Sequence, residues 1–123
     1  MGNQEILKQL IERNFEAWMH TNGFVCFKFK IPLGKFKNKV VEIALDAKQF
    51  PLNPPSGPYI KPHLLPISGG GGNHPYGAIH DRKLPDSEFQ YWSRPLNGWK
   101  SGMDMDDYLA FIRTLFDFTD EKV

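Results

Sequence analysis

Six of the chain's ten prolines fall between Phe50 and Pro66, at positions 51, 54, 55, 58, 62 and 66. Each removes a backbone donor and fixes one dihedral, so no helix can run through this stretch and no ordinary central strand can be built from it. At most it holds a short, edge-like strand around "PYIKP", residues 58–62. Periodic structure must therefore be sought on either side. At 123 residues there is too little chain for a second independent core, and residues 1–123 read as one domain.

Upstream, "NQEILKQLIERNFEAWMH" carries Ile6, Leu7, Leu10, Ile11, Phe15 and Trp18 at three- and four-residue spacing between charged residues. That pattern predicts an amphipathic helix, capped by Asn3 and stopped by Thr21–Gly23. "FVCFKFKIPLG" and "NKVVEIALD" then alternate. Val25, Phe27, Phe29 and Ile31 share one face of a first strand, and Val41, Ile43 and Leu45 share one face of a second, which predicts an antiparallel hairpin with one buried side. Between Ile67 and Pro95 no period emerges, so a long ordered loop region is expected there, of the kind that carries function. In "DMDDYLAFIRTLFDF" an acidic start precedes Tyr108, Phe111, Ile112, Leu115 and Phe116 on one face, predicting a C-terminal helix. Helix, two or three antiparallel strands, long loops and helix make an α+β domain.

Composition excludes several classes. A net charge of +1 with 24% charged residues argues against a nucleic-acid-binding protein. Lys28, Lys30, Lys35, Lys37 and Lys39 do cluster, but lysines commonly protect an edge-forming hairpin from pairing with other strands. No apolar run is long enough to span a membrane and no leader precedes the first helix, so a cytoplasmic protein is expected. The one cysteine, Cys26, excludes an internal disulfide and a multi-cysteine zinc cage.

Chemistry concentrates around "GGGGNHPYGAIHD", residues 69–81. A phosphate cradle would continue into a helix with a Lys-Ser/Thr pair; here Asn73, His74 and Pro75 follow, so the glycines read as an insertion and no cofactor is expected. His63, His74, His80 and Asp81 offer enough donors for zinc or iron, although no helical histidine pair sets their convergence. This leaves a metal-dependent enzyme as one alternative. Asp81, Asp86 and Glu88 beside His80 lack an activated nucleophile. Cys26 has no histidine near it in sequence and faces away from the apolar side of its strand, so a structural role is expected, with an atypical thiol enzyme as a second alternative.

Three segments carry a resemblance: "FPLNPP" at Phe50–Pro55, "HP" at His74–Pro75 and "YWSRP" at Tyr91–Pro95. Their order and spacing resemble the ubiquitin-conjugating (E2) superfamily over roughly Asn3 to Asp117, and the element order read above agrees. Counting forward from the His-Pro histidine and back from Trp92 by the family's spacings meets at one position, Leu84, where the family has its catalytic cysteine. Tyr76 stands in place of the family's asparagine. The resemblance therefore implies a compact variant, of the bacterial kind, without the nucleophile. It implies a non-catalytic module that binds a ubiquitin-like protein, an E1-like protein or a catalytic E2-like protein. His74, Pro75, Tyr76, His80, Asp81, Phe89 and Tyr91 are its candidate binding residues, with Tyr76, Phe89 and Tyr91 as candidate aromatic anchors if exposed, core burial being the alternative for each, and Trp92 as core.

Overall fold

The computed structural model describes residues 2–67 and 77–118. Its elements run in the order α1 (Asn3–Glu12), β1 (Ala17–Met19), β2 (Val25–Lys30), β3 (Val40–Asp46), β4 (Ser56–Lys61), β5 (Ile79–His80), β6 (Gln90–Trp92) and α2 (Met105–Leu115). The strands form one antiparallel sheet in the order β1-β2-β3-β4-β6-β5. The protein is thus α+β, with both helices contributing to the same apolar core.

The predicted hairpin is present, and its register sets the core. Phe27 lies opposite Ile43, Val25 opposite Leu45 and Phe29 opposite Val41. All six are buried, together with Ile60, Ile79 and Trp92 from the later strands and Ile6, Leu10, Tyr108, Leu109 and Ile112 from the helices. α2 begins where expected. Asp104 accepts a hydrogen bond from the Asp106 amide, and Asp107 accepts one from the Asp104 amide, so donors at the helix start are satisfied by a reciprocal cap.

The first helix is shorter than its periodicity suggests. α1 stops at Glu12, and Asn14 takes a left-handed φ of 67°. The chain turns there because Phe15 is drawn onto Phe27, edge to face at 5.4 Å, and Trp18 pairs opposite Cys26 in β1. Sheet pairing outweighs a helical spacing that continues in sequence. Thr21–Gly23 accordingly belongs to the β1–β2 turn and ends no helix. Asn3 is no cap either: Gly2 holds that position. The Asn3 side chain donates to the Gly23 carbonyl and Asp46 and accepts from the Ala47 amide, fastening α1 to two loops.

The proline-rich stretch also departs from expectation. β4 is interior, flanked by β3 and β6. Pro58 is tolerated because it falls in an irregularity: Tyr59 lies opposite Ala44 and Ser56 opposite Asp46, so Gly57 and Pro58 together oppose the single residue Leu45. The region expected as loop holds the short strands β5 and β6, and Gln90 explains how it is fixed. Its buried side-chain oxygen accepts from the Leu64 and Leu65 amides and from the Trp92 indole, while its amide group donates to the Leu65 carbonyl. Among the described residues no helix is long and apolar enough to cross a membrane.

Candidate functional site

Strand alternation divides the sheet into two faces. One packs on the helices. The other gathers a small buried cluster of Cys26, Ala44, Tyr59 and Phe89, with Trp18, Phe24 and Tyr91 packed around it. Residues 81–89 cover that second face. They leave β5 at one edge of the sheet and reach the β1–β2 turn at the other. There Asn22 donates to the Pro85 carbonyl at 3.1 Å, and His20 Nε2 lies 3.2 Å from Asp86 Oδ2. Burial works against the charge on Asp86, but hydrogen bonds from the Glu88 amide and His20 outweigh it and hold the carboxyl below the usual carboxylate range.

The sequence-derived residues are dispersed unevenly by this arrangement. His74, Pro75 and Tyr76, with the tetraglycine, lie outside the described residues. Tyr91 and His80 come together, opposite each other in β6 and β5 with rings 5.9 Å apart. Arg82, which the sequence did not single out, lies with its guanidinium 3.8 Å above the Tyr91 ring. Burial raises the Tyr59 hydroxyl, and a hydrogen bond from Arg82 partly offsets that. Asp81 is exposed, 3.9 Å from Lys83.

Phe89 takes the buried alternative rather than that of an exposed anchor. It is 1% exposed and packs beneath the covering loop, where Lys61 lies 5.7 Å from its ring centre. Its side chain follows the alternation of β6 onto the second face, so it serves that face's core. Trp92 is buried against the helices, as expected. His63 points its Nε2 to the Phe89 carbonyl at 3.0 Å, a structural contact. Among the described residues no group of three or more histidine, cysteine or acidic side chains is arranged to hold a metal, and His63, His80 and Asp81 do not form one.

Cys26 is fully buried in the second cluster. Desolvation, aided by the charges of Glu42 and Asp86, pushes its thiol up to about 12, which keeps it protonated at neutral pH. Leu84 sits in the covering loop at 41% exposure.

Two motif segments converge although they are far apart in sequence. Pro54 and Pro55 of the Pro-Pro turn, with Tyr91, Ser93 and Pro95 of the segment around Trp92, line an open groove of about 270 Å³. The Arg94 amide donates to the Gly57 carbonyl and so ties the two segments together. A larger cleft of about 400 Å³, between Gln9, Pro51, Leu52 and residues 101–104, was not anticipated. Its sequence signal is Leu52, an apolar residue 67% exposed in a turn.

The arrangement offers packing surfaces, a cation stacked on an aromatic ring and a buried thiol held protonated. No curated protein and no solved structure matches the chain. The family model described as prokaryotic E2 family E matches residues 4–117. With a match over nearly the whole chain, this E2-like protein, related to ubiquitin conjugation, belongs to prokaryotic E2 family E.

Proposed function

We propose that the protein is a non-catalytic E2-like module that binds a ubiquitin-like protein or a catalytic conjugation partner, and that Leu84 occupies the nucleophile's position. One observation carries this reading: the sequence's single cysteine is Cys26, and it lies sealed in the second-face cluster with its thiol pushed up to about 12. Thioester formation needs an accessible thiolate. Leucine at 84 has no group that can form one. The groove lined by Pro54, Pro55, Tyr91 and Pro95 offers a partner a largely apolar surface.

The test combines two substitutions with incubation in a lysate of the native host supplied with ATP. The unmodified protein is expected to recover a ubiquitin-like protein or a conjugation enzyme without any reducible adduct. Leu84→Cys is expected to create a reducible adduct. An adduct on the unmodified protein that disappears with Cys26→Ser would overturn the reading in favour of the buried thiol.

A further inference from the structure

The lysines of the β2–β3 connection are the strongest feature that this function leaves unexplained. Between Ala17 and Val41 the sequence has five lysines and no acidic residue, in a chain whose net charge is only +1. Edge protection accounts only for Lys28 and Lys30, where β2 runs past the three pairs it makes with β1; Lys35, Lys37 and Lys39 lie in the β2–β3 connection, on no strand.

The connection is rigidly presented. Gly34 takes a φ of +86°, and a side chain there would run into the Phe116 carbonyl oxygen. The Lys35 amide donates to the Phe118 carbonyl at 2.6 Å, and Phe36 packs edge to face on Phe118 at 5.9 Å. The Asn38 amide donates to the Ile31 carbonyl and the Ile31 amide to the Lys39 carbonyl, closing the turn. On this platform Lys30, Lys35, Lys37 and Lys39 are all exposed. Val40, opposite Lys30, is 55% exposed, and Phe36 is half-buried. Among the described residues Lys30, Lys37 and Lys39 form no ion pair, whereas Lys28 pairs with Glu16 at 3.3 Å.

We infer that this end of the sheet is a docking surface for a protein carrying a patch of carboxylates, with Val40 as its apolar centre and the lysines as its basic rim. The inference rests on the binding-module reading and specifies the chemistry of the partner. A fixed turn holds the charges at low entropic cost, which favours complementary association. Nucleic acid is the poorer fit. The surface has no arginine to grip phosphates or bases with a planar fork, and no exposed aromatic platform for stacking.

Carbodiimide cross-linking tests this directly, because it joins amines only to carboxylates. The tagged full chain would be treated in a nuclease-digested lysate of its host and the junction peptides identified by mass spectrometry. The expected result is junctions from Lys30, Lys37 or Lys39 to an Asp/Glu-rich segment of one protein. Capture of that protein without the cross-linker should fall about tenfold in a combined Lys30→Gln, Lys37→Gln and Lys39→Gln variant, and when salt is raised. Unchanged thermal unfolding of that variant would show that the fold is intact. Absence of junctions at these lysines, or capture that the variant retains, overturns the inference. Capture that requires intact nucleic acid overturns it too, and assigns the surface to that class. A conjugation protein joined elsewhere sinks only this inference; an unrelated acidic protein joined here sinks only the functional reading.

Discussion

The two faces of the sheet are built by different means. The helix face is apolar and periodic: side chains at every second strand position and every third or fourth helix position meet in one large core. The covered face has four buried residues at its centre and is closed by an irregular loop held through Asn22, His20 and Asp86. The first face specifies the fold. The second buries just enough to silence a thiol while leaving Tyr91, His80 and Arg82 near the surface. A large dense core and a small one beside accessible side chains are therefore separated across the thickness of one sheet.

The sharpest test of this contrast is to remove one large side chain from each face. Trp92→Ala, in the helix-face core, should cost about 3–5 kcal/mol in denaturant unfolding. Phe89→Ala should cost less, about 2–3 kcal/mol, because an irregular loop can settle into the space. It should also make Cys26 react with a thiol reagent under native conditions, whereas Trp92→Ala should speed that reaction only as far as global unfolding permits. Equal costs, or a Cys26 that stays inert in Phe89→Ala, would erase the distinction.

Gly34→Ala probes the join between β2–β3 and the segment after α2. The left-handed φ alone costs about 1–2 kcal/mol for a residue with a Cβ, and the contact with the Phe116 carbonyl adds to that. A melting temperature unchanged by this substitution would show that the turn is not held as described. Asp104→Ala removes the α2 cap and should cost about 1 kcal/mol.

The smallest expected effect is the most specific. The folded-state carboxyl of Asp86 lies below its ordinary value, so it contributes stability at neutral pH that is lost as the pH falls from the ordinary carboxylate range through the lowered value. Because Asp86 is partly exposed, Asp86→Asn should cost under about 1 kcal/mol at about pH 7 and progressively less as the pH falls through the carboxylate range. Urea midpoints across that range would show it; a difference that persists in acid would mean that the ionised carboxylate is not what holds the loop.

Legibility in the sequence follows the same division. β2, β3 and α2 could be read because their burial is periodic over a full element and α2 carries its own acidic cap. β1, β5 and β6 are two or three residues long, too short for a period to register, and they exist through pairing with distant strands. The overextended first helix is instructive: Phe15 and Trp18 do fit a helical spacing, but one serves the helix-face core and the other the opposite face, a split that only a strand can make. The covered face was legible in pieces. The Pro-Pro turn and the segment around Trp92 could be seen as motifs, yet their meeting in one groove depends on β4 lying beside β6. Arg82 carried no local signal, since its role comes from the ring beneath it.

Gln90 has a consequence for how this chain tolerates change. Its side chain secures the backbone at Leu64 and Leu65, just after β4. Independently, Arg94 donates to the Gly77 carbonyl at 2.8 Å, and the Ser93 amide donates to that of Ala78, just before β5. The backbone just after β4 and the backbone just before β5 are thus both held from β6 and the two residues that follow it. Loss of the Gln90 side chain should therefore loosen the backbone after β4 while leaving the Arg94 and Ser93 contacts before β5 in place.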